Sequence, residues 1–212
     1  MTNWLTRLLG ETQVKILLLL RRSRQTITGL ADHVELTDNA VRTHVAALDR
    51  DGMIEQVGTR REARGKPAKV YALTREGEEL FPKAYALVLS GLVEEISRGE
   101  GRERAIALLR AVGEKVAEGA EPSRDPKARV RAAAAILRSL GGDVEVERTD
   151  QGWLIQGYGC PLSAVTSRHP EVCAVAKAIV EEITGQRVTE CCDRSDRPRC
   201  AFQISGAPSE AA

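Results

Sequence analysis

Three observations predict a mainly α chain carrying a small α+β domain at its far end. Helical periodicity dominates the first 50 residues and gives way to two short β-type runs, more helices fill the middle, and strand-like alternation returns only after Gly142. The length of 212 residues suits two small domains better than one large core. Only 3% of residues are aromatic, so those cores must be built from Leu, Val, Ile and Ala. The divisions read as a first domain over 1–74, a helical region over 75–120, an α+β domain over 121–205, and a tail over 206–212 with a disordered segment's composition, GAPSEAA.

Each element has a local cause. The run TQVKILLLLRR, residues 12–22, is apolar nearly all round and predicts a buried helix. Ile27, Leu30, Ala31 and Val34 share one helix face behind Thr26, whose hydroxyl is an N-cap. Leu36 and Thr37 form a turn, Thr37 caps a third helix from Asp38 to Asp51, and Gly52 stops it. Val41, Val45 and Leu48 make its buried stripe, leaving Asn39, Arg42, Thr43, Ala46 and Arg50 outside. MIEQVG and KVYALT then flank a basic connection from Thr59 to Pro67, a hairpin with a charged tip. Helix, helix, turn, helix and β-wing in that order constitute a winged helix-turn-helix.

Residues 75–98 read as one long apolar-lined helix that Pro82, in its early part, either kinks or starts, residues 102–117 as a second, and EGAEPSRDP as a linker. Beyond it come an Ala-rich helix over 127–140, strands in VEVER and GWLIQGYG, a helix near 170–184 ended by Gly185, and strands around RVTECC and RCAFQIS. That succession is a small α+β domain.

Charge separates the two ends. Residues 1–74 hold 12 Lys and Arg against 8 Asp and Glu, a balance of +4 in a chain whose total is +1. An α-helix fits the major groove of double-stranded DNA, so Arg42 is placed to pair with guanine and Asn39 to read adenine, with Thr43 and His44 as shorter-range contacts. Packing into the protein is the other reading of His44. Arg60, Arg61, Arg64 and Lys66 in the wing suit phosphates. No apolar run is long enough to span a bilayer and Met1 to Gly10 lacks a signal-peptide pattern, so a cytoplasmic location and no membrane partner are expected. Recognisable catalytic orders and nucleotide-binding glycine motifs are absent, which argues against an enzyme.

All five cysteines, Cys160, Cys173, Cys191, Cys192 and Cys200, fall within 41 residues, whereas the first 159 residues have none. In a reducing compartment such a cluster points to metal binding or redox chemistry. Small buried hydrophobes, a structural zinc site and a reversible dithiol switch are the further readings the cluster admits. His169 is either a ligand or, preceding Pro170, a helix-entry residue.

The run LTDNAVRTHVAALDRDGMIEQVG, followed by RGKPAKVYALTREGEELFPKAY, resembles the N-terminal half of the SufR-like iron-sulfur-responsive repressors, a branch of the ArsR-like or DeoR-like winged-helix regulators. The Cys-Pro at Cys160 and the His-Pro-Glu-x-Cys before Cys173 are similar to that family's sensor domain. Residues Cys192 to Cys200 with CAFQI are similar to the terminal turn of four-vinyl-reductase-type small-molecule-binding domains. The resemblance implies a homodimer on double-stranded operator DNA, with the helix over 75–98 at the interface. It also implies an iron-sulfur cluster of the 4Fe-4S kind on Cys160, Cys173 and Cys200, with Cys191 or Cys192 completing the set and Cys192 preferred. A regulator sensing a small organic ligand, with zinc or a thiol site on the cysteines, is the rival expectation.

Overall fold

The computed structural model describes residues 3–61, 66–195 and 197–205, so Arg64 of the wing and the tail over 206–212 lie outside the described residues. The chain forms two compact units, Met1–Lys83 and Ala84–Ala212.

The first unit runs through α1 (Asn3–Leu9), α2 (Glu11–Arg22), β1 (Gln25–Thr26), α3 (Ile27–Val34), α4 (Asp38–Arg50), β2 (Ile54–Arg60), β3 (Ala68–Leu73) and α5 (Arg75–Glu79). The uniform apolarity of α2 has a direct use: Val14, Ile16, Leu17 and Leu20 are buried, and Leu18 and Leu19 pack partly against the same core. Thr26 and Thr37 cap as their sequence positions imply, accepting from the Gly29 and Ala40 N–H groups at 3.2 and 3.3 Å. Leu30, Val41, Leu48 and Ile54 close the core. The hairpin is antiparallel, and β3 lies between β2 and the two-residue β1.

The long helix expected over 75–98 is two helices, α5 and α6 (Tyr85–Glu100), with Pro82 between them. Proline has no N–H to donate to the carbonyl four residues back, and the Lys83 ammonium takes that place, 2.9 Å from the Glu78 oxygen. Phe81 is buried in the N-terminal core beneath the Arg21 guanidinium, 4.4 Å from its ring centre, which carries the first unit past residue 74 to Lys83.

The second unit contains α6, α7 (Arg102–Ala117), α8 (Pro126–Ser139), β4 (Val144–Thr149), β5 (Gly152–Gly157), α9 (Ser163–Thr166), a 3₁₀ turn (Pro170–Val172), α10 (Cys173–Thr184), β6 (Val188–Glu190) and β7 (Ala201–Ser205). Its antiparallel sheet has the order β4-β5-β7-β6. Val130, Ala133, Ala134 and Leu137 of α8 and Val180 of α10 pack with Ile155, Phe202 and Ile204 of the sheet. The middle helices, read as a region of their own, belong to this unit. Gly113 is the reason α7 can lie so close to α10, since a Cβ there would run into the Val175 carbonyl. A smaller cluster of Val93 from α6, Leu109 from α7, Val165 and Val172 joins both helices to the segment around α9 and the 3₁₀ turn. Among the described residues no helix is long and apolar enough to cross a membrane.

Phe202 is fully buried at the centre of the larger C-terminal core. Phe202→Ala should therefore destabilise that unit by about 3–5 kcal/mol. Urea unfolding followed by circular dichroism checks this, and an unchanged transition would contradict the assigned core.

Candidate functional site

The outward face of α4 is as polar as its sequence implies. Asn39, Arg42, Thr43 and Arg50 are exposed, while His44 is half-buried and shares the helix surface with the core. Two residues without a signal of their own in the sequence hold this helix. Thr28 on α3 donates its hydroxyl to the Asp38 carboxylate at 3.1 Å, fastening the two helices at the first turn of α4, where a negative charge also suits the helix dipole. Tyr71 on β3 is buried, and burial raises its hydroxyl pKa; Asp49 adds to the rise and Arg42 opposes it, so both charges of α4 lie within electrostatic reach of that hydroxyl. The wing is exposed along β2 from Glu55 onward, and Arg60, Arg61 and Lys66 are exposed near its tip.

The second constellation is built by strand register. Gln156 on β5 pairs with Ala201 on β7, so the chain leaving β5 towards Cys160 and the chain entering β7 from Cys200 meet at one end of the sheet. The Gly157 N–H donates to the Cys200 carbonyl at 2.6 Å. A Cβ on Gly157 would sit 2.7 Å from that oxygen, so only glycine permits this approach. On the other side Glu190 of β6 faces Phe202, and the pairing continues through the Cys191 N–H to the Ala201 carbonyl at 2.8 Å. Alternation then turns Cys191 outward and Cys192 inward, where its sulfur accepts from the Ala201 N–H at 3.3 Å. Cys173 opens α10 directly after the 3₁₀ turn.

Four thiols are thereby brought into a connected series, Cys160 to Cys200, Cys200 to Cys192 and Cys192 to Cys173. Cys173 and Cys200 are buried, Cys160 and Cys192 half-buried, and Cys191 exposed. All four line an almost wholly apolar cavity of about 20 Å³ together with Leu137, Val144 and Phe202, and a second of about 10 Å³ with Thr166, Arg194 and Arg199. Hydrogen bonds set their acidities. Bonds from the Cys173 and Cys200 thiols, aided by the Ala201 N–H, hold Cys192 down at about 3 against the opposing effect of burial. Cys160 is lowered to about 7, chiefly by its bond with Cys200. Cys173 and Cys200 are pushed up by donating to those partners and by burial, and the Arg194 guanidinium on the Cys173 sulfur pulls the other way. Cys192 is the sulfur whose charged form its neighbours favour most.

A single tetrahedral zinc ion would need four sulfurs about 2.3 Å from one point. Among the described residues no group of three or more His, Cys, Asp or Glu side chains is arranged to hold a metal ion. His169 does not line either thiol cavity; its Nδ1 lies 3.5 Å from the Glu171 carboxylate, at the entry to the 3₁₀ turn. Arg194 and Glu190 were not legible as site residues, because DRSDRPR reads in sequence as a turn between two strands and Glu190 as an ordinary residue of the strand RVTECC.

An exposed polar helix on a three-helix scaffold, with a basic wing beside it, defines a DNA-binding regulator. Residues 10–56 match the family model of bacterial regulatory proteins of the arsR family, a stretch that runs from Gly10 through α4 into β2. The chain is thus a DNA-binding transcription regulator with an arsR-type helix-turn-helix. No curated protein matches the chain.

Arg42→Ala should relax discrimination at one operator position, costing about 1–3 kcal/mol on the preferred base and little on the others. Equal weakening on all sequences in a binding-site selection would remove the base-reading role. Replacing Arg60, Arg61 and Lys66 together by Ala should weaken binding evenly across sequences and flatten the salt dependence by about 0.9 for each phosphate no longer neutralised. A titration series in potassium chloride measures that slope, and an unaltered slope would take the wing off the DNA backbone.

Proposed function

We propose that this chain is a homodimeric repressor of the SufR-like kind, whose operator affinity is set by a 4Fe-4S cluster held by Cys160, Cys173, Cys192 and Cys200. The observation that carries the reading is the meeting of four thiols, from the loop after β5, the start of α10, the end of β6 and the start of β7, in one largely apolar spot. When bound, such a cluster supplies an oxidant-sensitive inorganic core tied to four chain segments.

The protein's own packing offers the route from thiols to quaternary structure. The segment between Cys160 and Cys173 contributes Val165 and Val172 to the small cluster that also holds Val93 of α6 and Leu109 of α7. Fixing both ends of that segment steadies the inner face of α6. The same helix exposes Tyr85, Leu87, Val88 and Leu92 outward, Leu87 at 76% of its full surface, and a second copy of the chain is the occupant we assign to that apolar stripe. A dimer also meets the need for two recognition helices, because one helix reads too few bases to be selective.

Protein purified without oxygen should be brown and contain iron and acid-labile sulfide. Its operator affinity should exceed that of the apo protein by about 5- to 150-fold, the range of a 1–3 kcal/mol coupling. Ser at Cys160, Cys173, Cys192 or Cys200 should bring affinity to the apo level, while Cys191→Ser should leave it near that of the loaded protein. Equal affinities of loaded and apo protein would overturn the sensor role. Leu92→Asp, on an exposed position, should shift the chain to monomer in sedimentation equilibrium without altering its circular dichroism; an unshifted mass would move the interface elsewhere.

A further inference from the structure

We infer that Arg194 is the charge-compensating residue of the four-cysteine centre, positioned by Glu190 so that its side chain walls the cavity the thiols line. The inference rests on the reading of these cysteines as thiolate ligands. Arg194 follows Cys192 by two residues and lines the smaller cavity with all four thiols. It also lines an outer groove with Arg102, Arg110 and Lys177, so its side chain is the common wall between the sulfurs and solvent. Its guanidinium pairs with the Glu190 carboxylate, and its side chain lines the smaller cavity beside Cys173. The other cations of the groove are engaged elsewhere: Arg102 with Glu171, and Arg110 and Lys177 with Glu181. Arg194 is thus the groove cation that also lines the thiol cavity.

Four thiolates concentrate negative charge that an inorganic core offsets only in part, and burying that charge is costly without a compensating cation. A cation and an N–H···S bond at the ligand sulfur favour the more reduced, more negative state and raise the potential of a bound cluster. The Glu190 carboxylate acts in the opposite sense, because it holds the guanidinium in place while adding a negative charge nearby. Arg194 sets the level and Glu190 tempers it. A residue that only shaped the turn would have no such signed pair of effects.

The test uses the full-length protein, loaded without oxygen, in Arg194→Gln, Arg194→Lys, Glu190→Gln and Arg102→Gln forms, with midpoint potentials measured at pH 8 and iron loss to a chelator timed. Arg194→Gln should shift the reduction equilibrium about tenfold towards the oxidised form, about 59 mV downward for a one-electron couple. Arg194→Lys should recover most of that shift, Glu190→Gln should move the potential upward, and Arg102→Gln should leave it unchanged. An unmoved potential in Arg194→Gln, or the same direction in Arg194→Gln and Glu190→Gln, overturns the inference. If Arg194→Gln takes up no cluster, Arg194→Lys must restore uptake, and failure to do so also overturns it. If the unaltered protein contains no sulfide, the iron-sulfur reading fails on its own account. Cobalt(II) retention then decides the role of Arg194: a loss of about 10-fold or more in Arg194→Gln, recovered by Lys, upholds it and no loss rejects it.

Discussion

The antiparallel register of β5, β7 and β6 determines where the chemistry of the second unit can occur. Side chains alternate across a strand, so a slip of one residue between β6 and β7 would send Cys192 outward and bring Cys191 inward. Pairing of Val188 with Ile204 and Glu190 with Phe202 fixes that choice, and the pairing of Gln156 with Ala201 delivers Cys160 and Cys200 to the same end of the sheet. The register is itself enforced by burial: Ile155, Phe202 and Ile204 are wholly enclosed under α8 and α10, and none could exchange faces without exposing a large apolar side chain. Gly157 completes the arrangement by letting the β5 backbone approach Cys200.

Much of the first unit was legible because its signals are local. Threonine caps, a run of leucines and a 3.6-residue period need no distant partner, and α2, α3, α4 and the hairpin lie where those signals put them. What escaped was non-local. The two residues of β1 form a strand only because Tyr71 and Val70 of β3 lie opposite, and α1 is a seven-residue helix whose anchor is the burial of Leu5. Pro82 raised the question of a break, but only the packing of Phe81 against Arg21 decides that the first unit continues to that point.

The cysteine site shows the same division. Their crowding in sequence pointed to a common location, four of them line one cavity, and alternation along RVTECC could have separated Cys191 from Cys192 had the strand's partner been known. Arg194 carried no sequence signal, since a charged turn is the ordinary way to finish a hairpin, and Glu190 reads as one more residue of its strand. Their meaning comes from Cys173, which arrives from a helix 17 residues before Glu190 in the chain. A cation's role near sulfur is a property of the folded neighbourhood and not of the segment that contributes it.

The position of β7 has a consequence for the life of the chain before it is folded. Residues 201–205 form an interior strand, flanked by β5 and β6, although they are the last described segment of the sequence. The DNA-binding unit is built from the first 83 residues and can form while the rest is still being translated, as domains generally do in order of synthesis. The sheet of the second unit must wait, with Cys160, Cys173, Cys191 and Cys192 already exposed and their neighbour Cys200 still unmade. A nascent chain therefore passes through a stage at which a competent DNA-reading domain is joined to unassembled thiols, and the interval before β7 inserts is when those sulfurs are most open to misdirected oxidation.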